Sequence, residues 1–430
     1  MNKEILKLAI PNILSNISIP LLSTVDIILM GHLSGMHIGA VGVGSMIFNF
    51  VYWNFGFLRM GTTGITAQAY GQQDEEKISK TLGQALLVAL WLALPMLLLM
   101  NPFADLGIYF MNVEGEQAQL FFDYFYIRIW AAPATLASFV IMGWFFGMQN
   151  AIYPLIWTLV ANVTNIIANY ILVKHYGMET DGVALGTVIA QYAGLLTGLI
   201  LLFRKYSQYI YQIKWKTISK WNELKSFLTI NRDIFIRTVC LTLTFSFFYS
   251  KSSAAGELAL AVNTVLLQFL NWMSYGVDGF AYASESMVGK YFGAKEEAKT
   301  RKSIRLTFWW GMSFALIFSG IYWIGGEFFL SLFTNQADVI QGAIPYLVWV
   351  IVLPLVAAPS YLWDGVYIGM TAAKTMRNLM LIAFIVFLGS YYFLNPIYGN
   401  HGLWFALFLF LFSRGIGQWV MFRLKGMRLQ

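Results

Sequence analysis

Apolar segments long enough to cross a lipid bilayer recur along the whole chain. Twelve of them are centred near residues 22, 53, 90, 134, 163, 193, 238, 273, 313, 356, 385 and 412. A helix needs about 20 apolar residues to cross a hydrocarbon core of about 30 Å, whereas a barrel strand needs only about 10. Charged residues make up 11% of the chain, against roughly 25% in soluble domains. We therefore expect an all-α polytopic membrane protein with twelve transmembrane helices, numbered here as spans 1 to 12.

The first half of the chain aligns with the second at an offset of about 222 residues. Asn49 falls on Asn271 and Gly143 falls on Gly365. One polar segment separates six spans from six, so both halves enter the membrane in the same orientation. Repeats of this kind are related by an axis along the membrane normal in several transporter folds. We expect two six-helix bundles with that pseudo-two-fold symmetry: an N-lobe (residues 1–205), a cytoplasmic amphipathic linker (206–225) and a C-lobe (226–430).

Lysine and arginine are distributed unevenly between the two sides of the membrane. Most fall in loops on the side of the two termini, and the opposite loops are expected to hold only Arg128, Lys174 and Lys251. The positive-inside rule therefore predicts a multi-pass protein of the plasma (inner) membrane with both termini cytoplasmic. The net charge of +7 is spread over many cytoplasmic loops, so we expect membrane lipid and not nucleic acid as its partner.

A cluster of polar side chains lies at membrane depth in the first half only. It consists of Asp26 in span 1, Asn165 and Asn169 in span 5, and Thr187 in span 6. Counting the helical rise of 1.5 Å per residue from the outer ends places all four about 8–14 Å below the outer surface. The second half has Phe248, Phe387, Tyr391 and, after a two-residue slip, Leu407 at the matching positions. Polar groups are costly in hydrocarbon, so a cluster kept in only one copy indicates function.

The chemistry of this cluster suits a monovalent ion. A carboxylate among amide and hydroxyl oxygens offers hard ligands for Na⁺, and it is equally a protonatable acid whose neutral form the apolar surroundings favour. Hydrogen bonding between helices is the alternative, but it does not require an acid. We predict an ion-coupling site formed by Asp26, Asn165, Asn169 and Thr187. The same four residues form a metal site only if the ion is Na⁺, and no cofactor is expected.

Four more of the charged residues within the spans are candidate functional residues. Asp278, Asp364 and Arg237 fall in the cytoplasmic half of the C-lobe, and Arg59 lies at similar depth in the N-lobe. A buried ion pair of Arg237 with either acid and a proton-carrying role of the acids both fit this arrangement. We expect a charge network or gate, in which Arg59 meets Asp278 or Asp364 when the cytoplasmic side closes.

Enzymatic motifs are lacking within the spans. All four histidines lie in or near outer loops, the single cysteine is Cys240, and no P-loop glycine pattern occurs. These features predict neither an intramembrane enzyme nor ATP hydrolysis by this chain.

Several motifs are typical of one known family. They are residues 23–26 (STVD), 56–64 (GFLRMGTTG), 67–71 (AQAYG), 231–237 (NRDIFIR), 278–281 (DGFA) and 364–369 (DGVYIG). By these motifs the chain resembles the multidrug and toxic compound extrusion (MATE) family, and within it the DinF-like branch. The resemblance runs from end to end of the chain.

The resemblance implies an antiporter that exports organic, often cationic compounds in exchange for H⁺ or Na⁺ by alternating access. It also implies a small organic substrate in a central cleft and a monomer as the functional unit. Asp26 matches the family's first-lobe coupling acid, and Asn165 and Thr187 match its companions. Asn169 departs from the pattern, because many DinF-like members have a second Asp there.

The alternative function is that of a lipid or lipid-linked oligosaccharide flippase of the same superfamily. Such proteins usually carry more basic residues along the cleft. Here Arg59 and Arg237 are the few bases expected at cleft depth.

Overall fold

The computed structural model describes the backbone of residues 1–30, 35–111 and 115–428, and the side chains of residues 1–18, 36–109 and 115–428. The regular secondary structure of this part of the chain is helical throughout. The first half contributes α1 (Asn2–Met30), α2 (Gly35–Phe55), α3 (Phe57–Gln72), α4 (Glu75–Leu98), α5 (Met100–Met111), α6 (Glu116–Arg128), α7 (Ala132–Gly147), α8 (Ile152–Tyr170), α9 (Thr180–Tyr211) and α10 (Trp215–Ile218). The second half contributes α11 (Trp221–Ala254), α12 (Glu257–Gly293), α13 (Glu297–Phe333), α14 (Ala337–Ala343), α15 (Leu347–Gly369), α16 (Ala373–Tyr398) and α17 (Asn400–Lys425).

Nine helical segments of the described chain are long and apolar enough to cross a membrane. They are Met36–Gln72, Glu75–Leu98, Glu116–Gly147, Ile152–His175, Thr180–Tyr211, Glu297–Phe333, Ala337–Gly369, Ala373–Tyr398 and Asn400–Arg428. The helices α1, α11 and α12 have 29, 34 and 37 residues and are long enough to cross as well. Together they confirm the predicted all-helical architecture of twelve spans.

The described chain folds into two compact units. Residues 14–229 form the N-unit, and residues 1–13 with 230–430 form the C-unit. The start of α1 packs in the C-unit because Gly279 of α12 has no side chain to keep it away. A Cβ atom on Gly279 would lie 2.9 Å from the carbonyl oxygen of Ala9 and 2.4 Å from Cγ1 of Ile13. The lobe boundaries drawn from the sequence stay predictions.

The two units repeat the same backbone details at matching positions. Gln73 and Lys295 have φ angles of 58° and 59°, and Gln149 and Thr371 have φ angles of 61° and 53°. Each of these left-handed residues follows the end of a helix, where such a conformation turns the chain away from the helix axis. The offset within each pair is the one seen in the sequence, so the repeat extends to the backbone.

Matching glycines bring neighbouring helix backbones close together in both units. A Cβ atom on Gly143 of α7 would lie 2.4 Å from the carbonyl oxygen of Arg59 in α3. A Cβ atom on Gly365 of α15 would lie 2.3 Å from the carbonyl oxygen of Ala281 in α12. The obstacle in each case is backbone, which cannot rotate away as a side chain can.

The linker packs on the start of α4. The side chains of Ile213 and Ile218 reach 2.8 Å and 2.7 Å from the position of a Cβ atom on Gly83. Ion pairs join the same surfaces: Lys80 bonds to Glu223, and Lys214 Nζ lies 2.9 Å from Glu76 Oε1. The linker is therefore a docked part of the N-unit.

Alanine at either repeat-related glycine should destabilise the fold. We expect Gly143→Ala and Gly365→Ala each to lower the free energy of unfolding by about 1–3 kcal/mol, the usual cost of overpacking. The midpoint of thermal unfolding of the purified protein measures this loss. Gly389→Ala in α16 is the matched control, because nothing lies within 4 Å of the added Cβ atom. An equal loss in all three variants would contradict the backbone-contact argument.

Acidification should loosen the linker. The hydrogen bond from Lys80 holds the pKa of Glu223 below its ordinary value. A lowered pKa means that the Glu223 contribution is present above the ordinary value and is lost as the pH falls through the folded-state pKa. Hydrogen–deuterium exchange of residues 206–225, corrected for intrinsic rates, should show protection falling in that acidic range. In the Glu223→Gln variant, the protection of these residues from exchange should already be lower at neutral pH. The further loss of protection on acidification should then be smaller than in the parent.

Candidate functional site

The predicted ion-coupling residues lie on three helices. The backbone of Asp26 belongs to α1, and its side chain lies outside the described residues. Asn165 and Asn169 are on α8, and Thr187 is on α9. The exposed fractions of Asn165 and Asn169 are 2% and 1%, so both amides are removed from solvent.

A directional chain of hydrogen bonds joins these three side chains. Asn169 Nδ2 donates to Asn165 Oδ1 at 3.1 Å, and Asn165 Nδ2 donates to Thr187 Oγ1 at 3.3 Å. The Thr187 hydroxyl donates in turn to the carbonyl oxygen of Val183 at 2.8 Å. Each amide or hydroxyl oxygen that accepts in this chain has further lone-pair capacity. The chain therefore presents hard oxygen ligands that suit Na⁺ or a protonated carboxyl group. We call it the amide–hydroxyl chain.

Two local features open room for the amide–hydroxyl chain. A Cβ atom on Gly186 of α9 would lie only 2.0 Å from Asn169 Oδ1, so glycine there admits the amide oxygen. Beyond Asn169, α8 widens into a π-helical turn, Ile171–His175. Such turns occur often at functional sites.

The helices α1 and α8 run side by side in the same direction. Ser15 Oγ lies 2.7 Å from Thr158 Oγ1, and one turn further along Asn162 Nδ2 donates to Ser18 Oγ at 2.9 Å. The two contacts advance together along both helices, which fixes the register between them.

The matching level of the C-unit is filled by apolar side chains. Phe248, Phe387 and Leu407 are fully buried, and Tyr391 is 9% exposed. The ring centroids of Phe248 and Trp404 are 5.1 Å apart. At this level the two units share a backbone plan but differ in chemistry.

Asp364 in the C-unit is buried and bound by three side chains. Arg237 of α11 and Arg414 of α17 both donate through Nη2 to Asp364 Oδ2, and Gln418 Nε2 donates to Oδ1 at 2.7 Å. The exposed fractions of the Arg237, Asp364 and Arg414 side chains are 7%, 7% and 1%. Of the two roles left open by the sequence, this geometry is that of a buried ion pair, reinforced by a second arginine.

Arg414 and Gln418 are absent from the residues predicted from the sequence. The signal that identifies them is an arginine inside span 12, since charges there are rare and usually paired. Gln418 follows Arg414 by four residues and so shares its helix face.

The remaining predicted charges lie in different units. Asp278 of α12 is half-buried and lies in the C-unit, as Arg237 and Asp364 do. Arg59 of α3 is in the N-unit, 8% exposed, with its guanidinium carbon 5.9 Å from the ring centroid of Phe146. Its predicted contact with Asp278 or Asp364 stays a prediction.

Comparisons with known proteins find relatives along the chain. The profile of the MatE family matches residues 11–171 and 234–393. The chain is 38% identical over 424 residues to the DNA damage-inducible protein F of Escherichia coli (strain K12), covering 96% of this chain and 90% of that protein. It is 23% identical to a probable multidrug resistance protein NorM of Photorhabdus laumondii, covering 79% of this chain and 75% of that one. A crystal structure of MATE in the bent conformation matches the fold with a TM-score of 0.90 over 98% of this chain and 94% of that one, at 20% identity.

Loss of the Asp364 charge should destabilise the C-unit. Asp364→Asn leaves two buried guanidinium groups facing a neutral amide, and breaking a buried pair in this way costs about 3–5 kcal/mol. The unfolding midpoint of the purified variant measures the effect. The matched control replaces Asp364, Arg237 and Arg414 together by apolar residues of similar volume, which should restore much of the stability. A stable Asp364→Asn protein that has lost transport would instead indicate a proton-carrying acid.

Proposed function

Since the chain belongs to the MatE family of multidrug and toxic compound extrusion transporters, we propose that it exports organic, often cationic compounds in exchange for H⁺ or Na⁺. As a member of that family it is a multi-pass membrane transporter and not an enzyme. The observation that carries the exchange proposal is the buried amide–hydroxyl chain in one unit, whose counterpart in the other unit is apolar.

Helix register supports placing Asp26 beside this chain. Asp26 follows Ser15 by eleven residues along α1, and Asn169 follows Thr158 by eleven residues along α8. Eleven residues are about three helical turns. The contact between Ser15 and Thr158, continued three turns along both parallel helices, supports the proposal that Asp26 lies at the level of Asn169.

A carboxylate at this position accounts for the exchange of one cation for another. An ionised acid is costly in the bilayer interior unless it is neutralised. H⁺ neutralises it by forming the carboxylic acid, and Na⁺ neutralises it with help from the oxygens of Asn165 and Thr187. Because position 169 holds an amide and not a second acid, one monovalent ion suffices for neutrality.

The charges of the C-unit support assigning coupling to Asp26 alone. The Asp364 carboxylate already accepts from Arg237, Arg414 and Gln418, so a coupling ion would have to displace resident cations. We assign this cluster to holding α11, α15 and α17 together as alternating access proceeds. The predicted central cleft, the monomer, the inner-membrane location and the cytoplasmic termini belong to the same proposal.

The flippase alternative is not favoured. The curated relatives include proteins named for multidrug resistance and for multidrug and toxin extrusion. A lipid pyrophosphate also needs accessible bases, whereas the guanidinium groups of Arg237 and Arg414 are buried against Asp364.

Replacement of Asp26 should abolish coupling but not folding. We expect Asp26→Asn, in proteoliposomes under separately imposed pH and Na⁺ gradients, to reduce gradient-driven export of a fluorescent organic cation by at least about tenfold. The unfolding midpoint should stay near that of the parent, because the amide is neutral in hydrocarbon. Glu327→Gln, an exposed acid on α13, is the matched control and should transport normally. Export that persists in Asp26→Asn would exclude Asp26 as the coupling acid, and failure of both gradients to drive the parent would exclude antiport.

A further inference from the structure

A second buried arginine lies in the N-unit. Arg128 was expected in an outer loop, and this expectation is wrong: it is the last residue of α6, inside the apolar segment Glu116–Gly147, and is 8% exposed. The reason is that the helix begins at Glu116, so that three turns of it precede Arg128. A charge inside a span needs compensation from its surroundings.

The surroundings of Arg128 supply aromatic faces but no counter-charge. Its guanidinium carbon lies 5.2 Å from the ring centroid of Phe48 and 5.7 Å from that of Tyr52, both on α2. Within the described chain Arg128 takes part in no ion pair, and its buried Nη1 has no hydrogen-bond partner. Cation–π attraction recovers only part of the cost of removing such a charge from water.

Two more buried donors adjoin the guanidinium. The hydroxyl groups of Tyr52 and Thr135 are 7% and 6% exposed by residue, and neither has a hydrogen-bond partner of normal geometry in the described chain. The Tyr52 hydroxyl nevertheless interacts with both Arg128 and Thr135. One guanidinium and two hydroxyl groups from α2, α6 and α7 therefore converge without a negative charge among them.

We propose that Arg128, Tyr52 and Thr135 form a binding site for a small monovalent anion of the halide class. A buried cluster of N–H and O–H groups that carries one positive charge and no negative charge is completed by a single negative charge. A divalent anion would leave a net negative charge in an apolar environment, which is again costly.

Comparison with the other half of the internal repeat indicates that the anion site is particular to the N-unit. The positions that match Tyr52, Arg128 and Thr135 in the C-unit are Ser274, Val350 and Ala357. Val350 is 1% exposed, so the C-unit fills the place of the arginine with an ordinary apolar side chain. The fold does not require a charge there, and the inference does not rest on the proposed transport function.

The test compares halide and non-halide salts on the purified full-length protein. A ligand that binds only the folded state raises the unfolding midpoint with concentration and saturates. We expect sodium bromide and sodium chloride to raise the midpoint above that in sodium gluconate or sodium sulfate at the same ionic strength and pH. Crystals grown with bromide should show an anomalous peak within hydrogen-bonding reach of the Arg128 guanidinium.

Variants of the three donors separate a site from a general salt effect. Arg128→Leu should lose the halide-dependent shift, and Tyr52→Phe should weaken the apparent halide affinity about tenfold, the usual effect of removing a hydrogen bond to a charged group. Tyr124→Phe is the matched control, since the Tyr124 hydroxyl already lies 3.0 Å from Ser45 Oγ, and its halide response should be unchanged. If Arg128→Leu does not fold, Tyr52→Phe and Thr135→Ala test the same site. Each should weaken the halide-dependent rise of the unfolding midpoint.

Three results would overturn the proposal. They are an equal midpoint of the parent in halide and gluconate, a halide shift kept in full when a donor is removed, and stabilisation by acetate with none by bromide. The last would assign the donors to a carboxylate group and not to a halide.

Discussion

The cost of placing a charge in hydrocarbon determines the arrangement of polar side chains in this protein. Asp364 is surrounded by two guanidinium groups and an amide, so that it is neutralised within its own unit. Asn165, Asn169 and Thr187 are neutral and hydrogen-bond to one another. At Arg128 the protein does not fully compensate the buried charge. We have proposed that a diffusible anion provides the missing counter-charge.

Because the chain contains an internal repeat, its two units can be compared to separate features of packing from features of function. Gly143 and Gly365 each press a helix against the backbone of its neighbour at matching carbonyl oxygens, so the packing plan is the same in both units. Asn165 and Phe387 occupy matching positions, but the first is a polar amide and the second is an apolar ring. Features shared by the units are therefore needed for packing, and features that differ are candidates for ion and substrate handling.

Much of this structure follows from the sequence, because a membrane restricts what a helix can do. Span lengths follow from bilayer thickness, and the fixed rise of the helix was enough to place Asn165, Asn169 and Thr187 in one layer. The partners of Asp364 were only partly foreseen. Which face of α17 meets α15 depends on tertiary packing, and a count along one helix does not contain that information. Arg128 was misplaced for a related reason, since charged residues near the edge of an apolar run blur the start of a helix.

The two units therefore differ in how firmly their charges are held, and this difference assigns them different parts in the proposed exchange. In the proposed exchange, a carboxylate bound by two arginines holds α11, α15 and α17 together. In the proposed exchange, an acid beside neutral amide and hydroxyl oxygens would have a free energy that changes with the binding of each ion. A ligand shifts a conformational equilibrium only by its differential affinity for the two states. In the proposed exchange, ion binding in the N-unit is accordingly what alters the balance between inward-facing and outward-facing forms.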